Sequence, residues 1–388
     1  MPRTLQCGSD QRPLIRNPTL GGYREESAVD LTVAKGKSRT EMRKRTGFSR
    51  PLLVAWAPFS PTLVEVGTLV GGRVVFLNVL FGKKLAAPLR YTWLALRTLS
   101  LLGRERPRVV LAQNPAIFLP LLLVLVRRFY KFRLTVDHHA VWSMKTLRQP
   151  LLSQGIAVLE AFVARRADAN MSPNNNWTRE LRARGATDAF TYHDFIPPAL
   201  ANGRRQPTEW ASFPLPSHRF LIIAGHGGHP QELLEEEVAA MRGLDSYILV
   251  ITGKREKLAY RIAKLNPPSN VIYPGYLDDA RYETLKENAD AALSLSIELN
   301  TVPHAIHEYL AFGIPTIVLK DPLLRSLFDG AIVEIKDARP ETVGQALRRV
   351  TQDSTVRNQL RENIELNYEQ RLKMHNEEVS KLKQVLVA

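Results

Sequence analysis

Cysteine is nearly absent: the 388 residues hold one, Cys7. A single thiol excludes an intrachain disulfide framework and a thiolate-rich zinc site, and it fits a reducing compartment. Long apolar runs are missing too. The longest, AIFLPLLLVLV at 116–126, contains Pro120 and ends at Arg127-Arg128. A membrane-crossing helix needs about twenty apolar residues. The run reads as a buried helix, or as a helix half-inserted at a lipid surface, because RRFYKFR after it mixes basic and aromatic side chains. Residues 1–50 hold no apolar segment of a secretory signal, and their composition predicts a disordered basic tail. Gly36-Lys37-Ser38 is a chance match to a phosphate loop, since Leu31 stands where that loop needs its first glycine.

Acidic charge is scarce in one half only. The net charge is +15. Residues 1–200 hold 30 Lys and Arg against 13 Asp and Glu, while residues 201–388 hold 23 against 25. A basic first half implies an anionic substrate or surface facing it. Nucleic acid is disfavoured, because no recognisable DNA- or RNA-binding module is present. Acidic lipid headgroups qualify as well, and charge alone does not decide; the basic first domain with its apolar run leads to the expectation of peripheral contact with an anionic membrane, on its cytoplasmic face.

What is present is alternation. Runs 52–57, 73–79, 108–113, 132–137, 167–172 and 189–193 read as strands, separated by helical patterns at 62–69, 89–102, 117–128, 155–166 and 175–184. The proline-rich stretch 196–218 reads as a linker. Strand patterns resume at 219–225, 246–253, 270–275, 289–296, 315–319 and 331–335, and a long helix starts near Thr355. This predicts an α/β chain of two Rossmann-like, doubly wound parallel-sheet domains, 51–195 and 219–350, with an interdomain cleft. A C-terminal helical segment, 351–388, follows them.

Ligands of such sheets bind beyond the C-terminal strand ends, so the loops there carry the candidate chemistry. Gly225-His226-Gly227-Gly228-His229-Pro230 follows the first strand of the second domain. It is either an anion cradle of backbone N–H groups or an ordinary turn in which Gly227 and Gly228 supply positive φ. His226 and His229 lack a nearby acidic third ligand, so no metal is expected. Lys254 sits at the same edge. Asp278-Asp279 reads as a helix cap. In the first domain Asp137, His138 and His139 end a strand beside Gln113-Asn114-Pro115. His139 can act as a base, bind a sugar hydroxyl, or be structural, and Asn114 and His138 are the acceptor-side candidates. A helix from about His304 carries Glu308 one turn inside and stops at Gly313-Ile314-Pro315. Its first N–H groups, with the backbone from Asn300 through Thr301, Val302 and Pro303 to His304, suit phosphates. Glu308 suits a ribose diol.

NTVPHAIHEYLAFGIPTIV at 300–318 resembles the nucleotide-sugar signature of GT-B glycosyltransferases, especially the large family 4 type. The resemblance implies a GT-B fold, a ribose-binding role for Glu308 and a last helix, in 351–388, that crosses back to the first domain. Glu308 matches the second of the family's two glutamates; eight positions earlier stands Asn300, where the family has the first, and His226 stands near the place of the family's arginine. The stretch VVLAQNPAIFLPLLLVLVRRFYKFRLTVDHHA and the segment TYHDFIPPAL resemble the mannosyltransferases that extend chitobiosyl-dolichol, in which His139 matches their histidine and Asp137 its Asp-x-His partner. These likenesses imply a metal-independent hexosyltransferase moving a sugar from a nucleotide-diphosphate sugar to a glycan or lipid-linked acceptor, with no further cofactor. The alternatives are a sugar-nucleotide epimerase of the same fold and a non-catalytic scaffold at a membrane.

Overall fold

The computed structural model describes residues 29–31, 50–78, 87–114, 117–139, 150–195, 219–253, 255–298 and 300–387. The 196–218 linker and Lys254 lie outside them.

Seven strands form the first sheet: β1 (Val29–Leu31), β2 (Leu52–Ala55), β3 (Arg73–Phe76), β4 (Val109–Asn114), β5 (Arg133–His138), β6 (Ala169–Ser172) and β7 (Ala189–Thr191), ordered β1-β3-β2-β4-β5-β6-β7. All pairings are parallel except β1 on β3, with Val29 opposite Phe76. β1 falls within the 1–50 stretch expected to be a disordered basic tail, of which 1–28 and 32–49 lie outside the described residues. Its antiparallel pairing covers the N–H and C=O row that β3 would otherwise leave open as a sheet edge.

Strands β2 and β4 are buried along their whole length, as parallel strands covered on both faces must be. One face is covered by α2 (Ala87–Glu105), α3 (Phe118–Tyr130) and α4 (Pro150–Arg166), which bring Leu94, Leu101, Leu123 and Val163 onto Val54, Val110 and Val136. The other takes α1 (Pro61–Leu69), whose start is capped by Ser60 Oγ. The apolar run at 116–126 is thus mostly inside α3: Leu119 and Leu123 face inward, while Leu125 stays out.

The second sheet is wholly parallel, ordered β10-β9-β8-β11-β12-β13 from β8 (Phe220–His226), β9 (Tyr247–Gly253), β10 (Val271–Gly275), β11 (Ala291–Ser294), β12 (Thr316–Leu319) and β13 (Ile332–Ile335). Its helices are α6 (Leu234–Ala240), α7 (Arg255–Lys264), α8 (Asp279–Asn288), α9 (His304–Ala311), α10 (Pro322–Phe328) and α11 (Pro340–Gln352); α5 (Asn175–Ala183) belongs to the first half. Strand order reverses between β8 and β11, which opens a crevice beyond their C-terminal ends.

The last helix, α12 (Ser354–Val387), belongs to both halves. Leu360 and Ile364 pack into the second, and Leu382, Val385 and Leu386 pack under the first sheet. Arg371 in between donates to the carbonyl of Asp194 (2.8 Å) and to Nδ1 of His307 on α9 (2.8 Å). Burial, with Arg371 adding to it, holds His307 well below the usual imidazole range, so it is neutral and accepts.

Candidate active site in the interdomain cleft

A cavity of about 1100 Å³ opens between the two sheets. Among its lining residues are His139, Asn174 and His193 from the first half, and Gly225–Gly227, Ser294–Ser296 and Thr301–Ala305 from the loops after β8 and β11. The switch point of the second sheet therefore faces the first domain across the gap.

Helix α9 starts in this cavity. Its cap position is Pro303, which has no side chain able to accept a hydrogen bond, so the first turn is uncapped. Elsewhere Asn174, Asp278 and Asp321 close helix starts with side-chain oxygens. An uncapped start leaves orphan N–H groups and the positive dipole end toward the gap. One turn on, Glu308 also lines the cavity, its carboxylate about a quarter exposed. Oε2 lies 3.9 Å from Lys286 Nζ and Oε1 lies 3.7 Å from His304 Nε2. Lys286 is buried over the rings of Tyr282 and Phe312, 4.4 Å from each. Burial pulls its pKa down while Glu308 opposes that. The Tyr282 hydroxyl bonds to Glu308, and burial with these neighbours pushes the phenol far up. Glu308 is fixed from behind and open in front.

The glycine loop behaves differently from its sequence expectation. Gly227 and Gly228 do form a nest of N–H groups, with Gly228 at φ +78. The nest is filled by the protein's own anion: the carboxylate of Glu232 accepts from the N–H of Gly227 (2.8 Å), Gly228 (2.8 Å) and His229 (2.9 Å). Glu232 also lies 3.4 Å from Nδ1 of His226, whose Nε2 bonds Glu237 at 2.7 Å. Burial alone would lower the pKa of His226, but Glu237 and Glu232 outweigh it and push it up to about 10. Burial would raise Glu232, yet His226 and the loop amides bring it down to about 2. His226 is an imidazolium between two carboxylates. The acidic neighbours judged absent from the sequence are present in space, brought there by α6 and the turn before it. Among the described residues no group of three or more His, Cys, Asp or Glu could hold a metal ion. At the adjoining strand end Gly253 is obligatory: its φ is +152, and a Cβ would meet the His226 carbonyl oxygen at 2.3 Å.

The candidates of the first domain separate. His139 lines the cavity. Asp137 does not; it is buried beneath, accepting from Gln113 Nε2 at 2.9 Å. Burial raises its pKa to about 6 against the pull of His139. His138, predicted on the acceptor side, points the other way, as the next residue of a strand must. Its Nε2 meets Oδ1 of Asn170 at 2.9 Å, and because the Asn170 amide donates to the Ala164 carbonyl, the proton sits on His138. Burial lowers its pKa, so it is a neutral core histidine. Asn114 is fully buried with neither amide atom bonded, and it too lies outside the cavity. Asn300 is likewise not in the cavity. At φ +60 it accepts from Asn176 Nδ2 on its Oδ1 (2.9 Å) and from Asn174 Nδ2 on its carbonyl (3.2 Å), which makes it a bridge between the halves.

One lining residue escaped the sequence reading. His193 is buried, and both its Nδ1 (2.6 Å) and its backbone N–H (2.9 Å) bond to Glu378 of α12. Its Nε2 has no partner in the protein. TYHDF shows the histidine, but nothing local points to a carboxylate 185 residues away.

Residues 220–367 match the family described as Glycosyl transferases group 1, and residues 52–191 match the Glycosyl transferase 4-like domain. No curated protein matches the chain in sequence. Among solved structures it is similar to a UDP-forming α,α-trehalose-phosphate synthase from Burkholderia vietnamiensis, at 12% identity and TM-score 0.67 over 87% of this chain and 99% of that one. Sucrose-phosphate synthase from Thermosynechococcus elongatus aligns at 12% identity and TM-score 0.64, over 86% and 100% of the two chains. Anabaena Alr3699/HepE in complex with UDP and glucose aligns at 11% identity and TM-score 0.64, again over 86% and 100%. Identities this low speak for the fold. With one glycosyltransferase domain matched on each side of a cleft between two parallel sheets, the chain belongs to the GT-B glycosyltransferases.

Proposed function

We propose that the cleft transfers a hexose from a nucleotide-diphosphate sugar to a hydroxyl of a glycan or lipid-linked acceptor, without a metal ion. The observation that carries this is the uncapped start of α9 with Glu308 one turn in, both opening into the same cavity. The amides of His304 and Ala305 take the diphosphate and Glu308 takes the ribose diol. The His226 imidazolium lines the same cavity at the end of β8, its charge held between Glu232 and Glu237.

In the transfer, the acceptor oxygen attacks the anomeric carbon, and the bond from that carbon to the phosphate oxygen breaks with its electron pair going to the diphosphate. The acceptor proton leaves to an imidazole. His139, backed by Asp137, and His193, backed by Glu378, are the two first-domain imidazoles on the cavity. Charge that builds on the diphosphate meets dipoles already in place, which supplies most of the rate.

Asp137-x-His139 and TYHDFIPPAL support a narrower reading, mannosyl transfer to a lipid-linked chitobiose on the cytoplasmic side of a membrane. The chain is screened by melting shift with UDP, GDP and ADP sugars, and product mass is followed with and without an acceptor. Turnover of donor alone to an epimer, or no response to any nucleotide, defeats the proposal.

A further inference from the structure

Helices α2, α3 and α4 bury one side against the first sheet, yet their outer side is not a polar surface. Of fifteen large hydrophobic side chains exposed among the described residues, eight sit on these three helices. Phe129 is 85% exposed, Leu151 84% and Leu89 74%, with Leu96, Leu125 and Val158 among the others. A patch of this kind on one face marks an interaction surface.

The charges beside it are of one sign. The three helices carry seven arginines and no lysine, against two acids. Both acids are engaged: Glu105 pairs with Arg73, and the buried Glu160 pairs with Arg184. Three of the arginines lie over rings, Arg90 on Tyr91 (4.8 Å), Arg97 on Trp93 (4.7 Å) and Arg166 on Phe162 (5.5 Å).

We infer that this face docks on an anionic lipid bilayer. A second copy of the chain would set arginine against arginine. A nucleic acid would use the charges and leave Phe129 and Leu151 in water. A bilayer surface with acidic headgroups takes both, the guanidinium groups at the phosphates and the apolar side chains just below them. No described helix is long and apolar enough to cross, so the contact stays at the surface.

The topology orients the docked chain. Because α2, α3 and α4 follow parallel strands, their first turns stand at the C-terminal strand edge, where β5 runs into His139 and the cavity opens. Leu89, Phe118, Leu151 and Leu152 belong to those first turns. The cleft mouth therefore sits at headgroup level, where an acceptor on a lipid anchor reaches it without leaving the bilayer. Only this last step rests on the proposed reaction; the docking does not.

The test is flotation of the full chain with vesicles of phosphatidylcholine alone, and with vesicles of two parts phosphatidylcholine to one part phosphatidylserine. Binding to the acidic vesicles alone, reversed by high salt, is expected. Two triple variants, Leu96→Ser/Phe129→Ser/Leu151→Ser and Arg97→Glu/Arg128→Glu/Arg165→Glu, should each lose binding by about tenfold or more. Unchanged melting and UDP binding in both variants show that they are folded. No binding to acidic vesicles, equal binding to both compositions, or variants that float like the parent overturn the inference. So does a concentration-dependent dimer in sedimentation that the serine variant dissolves, which would assign the face to self-association. A chain that floats with acidic vesicles but binds no nucleoside diphosphate upholds the docking and removes the proposed reaction.

Discussion

Replacing Glu232 by glutamine tests how the glycine loop is used. In the free protein the Glu232 carboxylate takes three amide bonds of 2.8–2.9 Å and faces the His226 imidazolium at 3.4 Å. Any diphosphate that reaches those amides has to displace it. Glutamine keeps the shape and one acceptor oxygen, but it sets an NH₂ group against N–H donors and removes the charge. Hydrogen bonds to a charged acceptor contribute about 1.5–3 kcal/mol each; with the amide oxygen in place of Oε2, the bond from Gly227 is lost and those from Gly228 and His229 are weakened. The filled nest should then be destabilised by about 2–4 kcal/mol, less whatever the loop recovers by relaxing. The donor complex, with Glu232 already displaced, loses little. The difference appears as tighter binding of UDP, by about tenfold to a hundredfold, together with a lower melting temperature of the free protein. Calorimetric titration with UDP and with inorganic diphosphate, beside thermal melts, reads both. If melting falls while affinity for both ligands stays level or drops, Glu232 is a brace for the loop, and the diphosphate never enters the nest.

Glu308→Ala should weaken UDP binding by about 3 kcal/mol, on the order of a hundredfold, and lower the melting temperature as well, because the buried Lys286 loses its counter-charge; calorimetry that finds unaltered affinity removes it from the ribose site. His193→Ala should cut turnover by about 10²–10⁴ with donor affinity kept, and Glu378→Gln should shift the pH–rate profile rather than merely scale it; a uniform loss of stability in both would mark the pair as a tie to α12 only. Asn300→Ala removes the side-chain bond from Asn176 across the cleft, about 1 kcal/mol, and strains a backbone at φ +60, while the carbonyl bond from Asn174 is kept; small-angle scattering should find a larger radius of gyration without ligand, and an unchanged radius refutes the bridge. The folded pKa of His226, about 10, stands above its ordinary 6.5, so its contribution to stability is complete below about pH 6.5 and is lost as pH rises toward 10. Melts of wild type should therefore fall more steeply from pH 7 to 10 than those of His226→Gln, and parallel curves would contradict the triad.

Much of the architecture was legible along the chain. The twelve strands from β2 to β13 fall where β-branched and apolar runs alternate with helical patterns, because a buried parallel strand and a sheet-covering helix each impose a local period. Start and stop chemistry was legible for the same reason: Asp278 caps α8 through a bond to the N–H of Arg281, and Gly313 takes φ +67 just after α9. The uncapped start at Pro303, with Glu308 one turn in, could be read as a phosphate and ribose site because all its parts lie within nine residues.

Elsewhere the reading stopped at the strand end. Side chains alternate there, so Asp137, His138 and His139 cannot all face one cavity, and which side opens to the cleft depends on what packs behind. The sequence by itself determined two wound parallel sheets, a basic first half and a helix start without a capping side chain, since periodicity, charge count and capping are short-range properties. Tertiary structure alone decided that Glu232 fills the glycine nest, that Asn300 bridges the halves and that Glu378 orients His193. Those pairings join residues through space after desolvation has made an unpartnered charge costly, and no local pattern in the chain encodes which partner arrives.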